Sequence, residues 1–341
     1  MIGDVLTSSI LFEALKKKFP EATLHYLVNT HTFPVVENHP HIDKFVFFTP
    51  EIESNYLRFF KFLKNINAEN YDVVIDVYGK LSSKFISFRS GAPISIAYKK
   101  KNTSFIYSHN IKRSKKPKYN TSLAIENRLK LLKPLGVEFT EVVPKIYLTS
   151  EEIDTASKTL EEYKIISSKP LFMISVLGST DQKTYPPKYM AKVLDMIIEQ
   201  KPDSQLLFNY IPNQKKQAKQ LFELCSKETQ NRIYFDLYGK NLREFMALTS
   251  HCDALIGNEG GAVNMAKALQ IPTFIIFSPH LNKENWFHGN DTTKNVAVHL
   301  SDFIKHTKED MNEARKEATP YYKKFKPELF QDQLIQFIEK V

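Results

Sequence analysis

CDALIGNEGGAVNMAKALQIPTFIIFSP, residues Cys252–Pro279, reads as strand, tight turn, helix and strand. Asp253–Ile256 is a short apolar run, Gly257–Gly261 a turn with three glycines, and Ala262–Leu269 a helical pattern. Pro272 then introduces a second apolar run, Thr273–Phe277. A parallel strand that delivers the chain to a glycine-rich helix N-terminus makes a place for phosphate. The first N–H groups of the helix are unpaired there, and the positive end of its dipole faces the ligand. Gly260 and Gly261 allow close approach of the backbone, and Glu259 stands where a carboxylate can bond sugar hydroxyls. An ordinary βαβ turn needs glycine for the same steric reason, so the pattern alone leaves both readings open.

The alternation extends outward in both directions. In the C-terminal half the predicted strands are Leu171–Val176, Gln205–Asn209, Arg232–Phe235, Asp253–Ile256 and Thr273–Phe277. Between them fall the predicted helices Lys188–Glu199, Gln214–Lys227, Leu242–Thr249 and Ala262–Leu269, and the tail Ser301–Val341 reads as helical with a break at Pro320. The N-terminal half opens on a helix whose stripe is Val5, Leu6, Ser9, Ile10, Leu11, Ala14 and Leu15. Strands follow at Thr23–Val28, Lys44–Phe48, Tyr71–Val77 and Ile94–Ala97, with helices at His31–Asn38, Glu51–Ile66, Gly79–Arg89 and Ser122–Leu135. A polar helix, Ser150–Tyr163, leads to an expected hinge at Lys164–Pro170. Two successive alternating sets predict an α/β protein of two doubly wound, Rossmann-like domains, 1–164 and 165–341, facing each other across a cleft. In such folds a strand precedes a turn like Gly3-Asp4, so a first strand upstream of Met1 is expected.

Composition narrows the class. With 42% hydrophobic and 25% charged residues the chain is globular, and at 341 residues it is long enough for two cores. No apolar run approaches the roughly 20 residues that span a bilayer. The two cysteines, Cys225 and Cys252, fall in apolar-periodic segments and read as buried thiols of a reducing compartment, which predicts a cytoplasmic protein. A net charge of +9 points to an anionic partner.

Four stretches, in order along the chain, resemble one family. They are GDVLTSSILFEALKKKFP from Gly3, VVENHPHID from Val35, DQKTYPP from Asp181, and the run from Asp236 (DLYGKNLREFMAL) into GNEGGAVNMAKALQIP from Gly257. Together they are similar to glycosyltransferase family 9, the bacterial lipopolysaccharide heptosyltransferases. The resemblance implies a GT-B type arrangement, with acceptor sites in the first half and a nucleotide-sugar donor in the second. It also implies metal-independent transfer with inversion at the anomeric carbon. Inverting transfer needs a base for the acceptor hydroxyl and a positive group on the departing diphosphate. By resemblance Asp4 is the base, although aspartate is also a preferred helix cap. Lys183 matches the family's lysine before its Trp-Pro, with Tyr185 in place of tryptophan; a solvated loop lysine is the plainer reading. Ser179 and Thr180, with Gly178, end the first strand of the second half, where open α/β sheets bind ligands. They join Gly260 and Gly261 as the expected diphosphate cradle.

Departures from the family pattern concern the donor. Glu259 stands where the family has aspartate and Asn264 where it has histidine, and the acid that contacts the nucleotide ribose falls near Asn213 and Gln214, where this chain has none. Adenine-nucleotide specificity is therefore open, and UDP- or GDP-sugars are the alternatives to ADP-heptose. No metal site is expected, no cofactor beyond the nucleotide-sugar co-substrate, and the spacing of His39 and His41 reads as surface-loop histidines. Lys80, Lys84 and Arg89 follow the strand ending at Val77 and are expected to grip carboxylate or phosphate of an anionic, lipid-linked saccharide of the lipid A/Kdo type. The basic segment Lys99–Lys118, with Phe105 and Tyr107 interleaved, has three readings: a solvated loop, a dock for an acidic leaflet, or a nucleic-acid surface. The preferred expectation is an enzyme on the inner face of the inner membrane, with no nucleic acid bound. The alternative from another class is a non-catalytic basic protein that binds nucleic acid or membrane.

Overall fold

The computed structural model describes residues 1–100, 104–288 and 294–341. It divides into two compact units, essentially Gly3–Pro144 and Lys145–Val341. Helix α6, Ser150–Glu162, which the sequence reading assigned to the first domain, belongs to the second unit. It packs there on α10, Leu242–Ser250, where Arg243 Nε donates to Glu152 Oε1 at 2.6 Å. That guanidinium holds the Glu152 carboxyl below its ordinary range.

The first unit is built on α1, Ile2–Lys18. Its Ile10, Leu11, Ala14 and Leu15 pack against Ile125 and Leu129 of α5, Leu123–Lys130. Thr7, Ser8 and Ser9 are buried as well, because each hydroxyl donates back to a carbonyl of its own helix. Strands β1, His25–Val28, and β2, Lys44–Phe47, pair in parallel. A second parallel sheet runs β3 (Val73–Asp76), β4 (Ile94–Tyr98), β5 (His109–Ile111). The helix expected over Glu51–Ile66 is two: α2, Pro50–Ser54, and α3, Tyr56–Ala68. Asn55 separates them by accepting from the Arg58 N–H as the cap of α3. Helix α4, Leu81–Arg89, follows β3.

The Lys99–Lys118 segment is not a plain loop, since it supplies β5. Its Tyr107 is buried and donates to Asp76 Oδ2 at 2.6 Å, while Phe105 is exposed. Arg113 lies over the Tyr98 ring at 3.9 Å and Lys100 donates to the Gly79 carbonyl. Residues 101–103 of this segment lie outside the described residues. His39, expected on the surface, is buried against Phe12, its Nδ1 accepting from the His41 N–H.

The second unit holds a six-stranded, all-parallel sheet of order β11-β10-β9-β6-β7-β8. Its strands are β6 (Leu171–Ser175), β7 (Gln205–Asn209), β8 (Ile233–Tyr234), β9 (Ala254–Asn258), β10 (Thr273–Ile276) and β11 (Asn295–Val298). The helices are α7 (Pro187–Gln200), α8 (Lys215–Leu224), α9 (Lys227–Gln230) and α11 (Gly261–Ala268), then α12 (Lys308–Lys316), α13 (Thr319–Lys324) and α14 (Gln331–Lys340). From β6 the chain winds outward through β7 and β8, then returns to lay β9, β10 and β11 on the other side. This is the Rossmann strand order, with its switch point between β6 and β9. The tail is broken beside Pro320 as expected: α12 ends at Lys316 and α13 begins at Thr319, with Pro320 in its first turn, where its missing N–H costs nothing. Both cysteines are buried free thiols, and burial pushes Cys225 up to about 12.

Two side chains of this unit carry stability predictions. Tyr185, fully buried among Tyr189, Tyr322, Phe325 and Phe330, donates to the Phe325 carbonyl at 2.7 Å. Tyr185→Phe keeps the ring and orphans that carbonyl, so equilibrium denaturation should show a loss of about 1–2 kcal/mol. His299, also buried, accepts from the Ser301 N–H through Nδ1, and burial pushes its pKa down to about 4. Its contribution is full above the unfolded value of about 6.5 and is lost as pH falls through about 4, to a total of about 3 kcal/mol. His299→Asn keeps an acceptor for the cap and removes the titration, so its melting temperature should fall less than that of the parent chain on acidification.

Candidate active site

In the first unit the candidate base is Asp4. It is the third residue of α1, inside the first turn, so it is not the helix cap. Its Oδ1 accepts from Arg128 Nη2 at 2.8 Å; the Arg128 side chain is 10% exposed and that of Asp4 29%, leaving the carboxylate reachable and the guanidinium enclosed. Arg128 also donates through Nε to Ser8 Oγ at 3.1 Å and through Nη1 to the Ala124 carbonyl at 3.1 Å. The carboxylate is thus fixed by a buried side chain from α5, which sequence reading missed. The partners are 124 residues apart, and no local pattern marks an arginine on a helix as the one that turns inward. Tyr26 lies beside this group, its hydroxyl donating to the Val5 carbonyl at 3.0 Å; burial raises its pKa well above the usual phenol range.

At the end of β3, buried Asp76 organises the turn into α4. Its Oδ1 accepts from the N–H groups of Tyr78 (2.9 Å) and Gly79 (2.7 Å), and its Oδ2 from Ser83 Oγ (2.8 Å) and Tyr107. Gly79 adopts φ +60, a conformation that favours glycine. This turn presents Lys80, whose ammonium sits over the Tyr78 ring at 4.6 Å and within electrostatic reach of Asp4. Lys84 and Arg89 continue along α4, Arg89 exposed in its last turn.

In the second unit the loops after β6 and β9 flank the switch point, where ligands bind in open α/β sheets. Asn258 ties them together. Its Nδ2 donates to the Ser175 carbonyl at 2.9 Å and its Oδ1 accepts from the Tyr185 N–H at 2.6 Å. A Cβ on Gly257, at φ +132, would stand 2.4 Å from the Ser175 oxygen, and one on Gly178 would stand 2.4 Å from the Lys183 oxygen. Glycine is required at both, and the second contact folds the loop so that Lys183 is carried back over it.

Ser179 and Thr180 are exposed on this loop, Thr180 supplying its carbonyl to Thr184 Oγ1. Gln214 joins them, its Nε2 donating to the Gly178 carbonyl at 3.3 Å. Gly260 and Gly261 open α11; a Cβ on Gly260 would meet no described residue beyond its chain neighbours within 4 Å, whereas one on Gly261 would stand 3.4 Å from Ile2 Cδ1. Asn264 is turned back on the same helix, Nδ2 to the Gly260 carbonyl at 2.8 Å.

Glu259, expected to bond sugar hydroxyls, is turned to a partner within the protein. It is buried, and its Oε1 accepts from Lys183 Nζ at 3.1 Å. A carboxylate so enclosed needs a positive partner, and Lys183 supplies it while remaining 27% exposed, enough to offer its other protons to an anion. Ser278 and His280, just beyond β10, lie beside the Lys183 loop and are not singled out by the sequence reading, although a serine and a histidine directly after a predicted strand are a legible signal. Ser278 Oγ donates to the Gln182 carbonyl and therefore accepts from His280 Nδ1, both at 2.8 Å. Burial, then the charges of Lys183 and Arg315, lower the His280 pKa, which favours the neutral imidazole. Among the described residues no group of three His, Cys, Asp or Glu is arranged to hold a metal ion.

This arrangement can hold a phosphorylated ligand in the second unit and supply a fixed carboxylate in the first. The chain is 25% identical to a lipopolysaccharide heptosyltransferase 1 of Campylobacter coli over 330 residues, 91% of this chain and 93% of that one. Its fold is similar to that of a family 9 glycosyl transferase from Veillonella parvula, with a TM-score of 0.81 at 17% identity over 100% of this chain and 94% of the other. The E. coli ADP-heptose lps heptosyltransferase II follows, with a TM-score of 0.68 at 15% identity over 94% and 97%. The model of glycosyltransferase family 9 (heptosyltransferase) matches residues 59–315, most of the chain, and this protein belongs to that family of enzymes.

Proposed function

We propose that the enzyme transfers a heptose from ADP-heptose to the inner core of lipopolysaccharide, with inversion and without a metal ion or other cofactor. The observation that carries this reading is the Lys183 loop tied through Glu259 to the glycine-rich N-terminus of α11 at the switch point of a family 9 chain. Asp4 takes the proton of the acceptor hydroxyl as its oxygen bonds the anomeric carbon. The bond from that carbon to the diphosphate breaks on the opposite face, and ADP leaves with the electron pair. Lys183, the first N–H groups of α11 and the Ser179–Thr180 loop stabilise the charge that develops on it. Glu259 orients Lys183, so sugar hydroxyls are left to Asn264 and His280. Lys80, Lys84 and Arg89 hold anionic groups of a lipid A/Kdo-type acceptor, and the enzyme works in the cytoplasm against the inner membrane.

A second donor, a UDP- or GDP-sugar, is favoured by one feature: Gln214, at the position of the ribose reader, is an amide and not an acid. A thermal-shift panel of ADP, GDP and UDP, each with and without magnesium, decides. Stabilisation by ADP that magnesium does not change is the expected result. A larger shift with UDP or GDP keeps the chemistry and replaces the sugar donor.

A further inference from the structure

Helices α3 and α4 of the first unit lie side by side, burying Phe62, Leu63 and Ile66 of one with Ile86 of the other. They run in the same direction. Glu53, just before α3, is within electrostatic reach of Lys80 at the start of α4, and Asn67 at the far end of α3 lies 3.1 Å from a Cβ built on Gly91, just past α4. On its outer face α3 leaves Tyr56 84%, Leu57 82% and Phe60 66% exposed; α4 leaves Leu81 71%, Phe85 48% and Phe88 67%. Large apolar side chains scattered singly are normal on a surface, but six on two adjacent helices are not.

The charges beside them have one sign. Arg58, Lys61 and Lys64 stand on α3, Lys84 and Arg89 on α4, and neither helix contains an acidic residue. Protruding aromatic and aliphatic side chains with basic neighbours match an anionic bilayer, whose acyl boundary takes the rings and whose phosphates take the cations. Among the described residues no helix is long and apolar enough to cross a membrane, so such a face would lie on the surface.

We propose that this α3–α4 face is the surface by which the protein docks on an anionic phospholipid bilayer. It deepens the reading of a lipid-linked acceptor and assigns the contact to these helices instead of the basic Lys99–Lys118 segment. The placement is coherent, because Lys80, at the edge of the face, is within electrostatic reach of Asp4.

Co-sedimentation of the full chain with phosphatidylglycerol/phosphatidylethanolamine vesicles, against pure phosphatidylcholine, tests it without any nucleotide sugar. Failure here is therefore distinct from failure of the proposed reaction. The protein should bind the anionic vesicles. The triple variant Tyr56→Ser, Leu57→Ser, Phe60→Ser should lower the affinity at least about tenfold, as should Phe85→Ser with Phe88→Ser. These side chains are exposed, so melting temperatures should stay unchanged and a folding defect is recognisable. Lys115→Glu with Lys116→Glu should change the affinity less than about twofold, beyond general charge effects. Undiminished binding by the triple variant would overturn the assignment. So would light scattering that showed a dimer dissociated by it, because a second copy would then cover the face.

Discussion

Asp4→Asn is expected to lower kcat by about 10²–10⁴-fold, the range of a positioned general base, while leaving the nucleotide affinity unchanged. Asparagine keeps an oxygen in the place of Oδ1, so the bond from Arg128 Nη2, 2.8 Å in the parent chain, survives and α1 stays anchored to α5. What is lost is the ability to take a proton. The variant should also melt close to the parent chain, since the enclosed guanidinium keeps Ser8 and the Ala124 carbonyl as partners. Initial rates at saturating donor, with nucleotide binding measured separately, check this. A rate within about threefold of the parent chain, against the range expected for a base, would remove Asp4 from the chemistry.

Lys183→Ala should cost about 10²–10³-fold in kcat, the loss seen when one preorganised donor is removed from a developing negative charge. It should also weaken binding of the nucleoside diphosphate, for a second reason. Glu259 is buried and has Lys183 3.1 Å away; without the ammonium its carboxylate is left enclosed and unpaired, and would repel an anion bound beside it. Lys183→Ala combined with Glu259→Gln separates the two effects. The double variant should recover diphosphate affinity, measured calorimetrically, and remain as slow as the single one. Recovery of rate as well would mean that Lys183 acts only by neutralising Glu259.

Much of the second unit was legible because parallel strands buried on both faces are continuous apolar runs. Gln205–Asn209 is read to the residue, and the strands at Leu171, Ala254 and Thr273 to within one or two. Two strands escaped. His109–Ile111 is short and polar, set within a basic segment, and its register comes from pairing with β4; Asn295–Val298 lies at the sheet edge, where half-exposed side chains blur the pattern. Asn55 and Pro320 are both signals in the sequence: Asn55, inside the span expected as one helix, starts α3 as its cap, and Pro320, in the first turn of α13, marks the break after α12.

At the site, loops were legible and partners were not. Strand ends followed by Gly178–Thr180 and by Glu259–Gly261 mark the switch point from sequence. That Glu259 pairs with Lys183, Asp4 with Arg128, and Asn264 with its own helix depends on which atoms the fold brings within 3 Å or so. Pairing across 76 and 124 positions leaves no periodic trace.

The most direct measurement is mass spectrometry of a lipid A/Kdo-type acceptor after incubation with the full chain and ADP-heptose, with a chelator present and released ADP followed in parallel. The account predicts one added heptose per acceptor, one ADP per heptose, inverted configuration at the new linkage, and no effect of the chelator. An unmodified acceptor, with ADP formed only by slow hydrolysis of the donor or not at all, would contradict it.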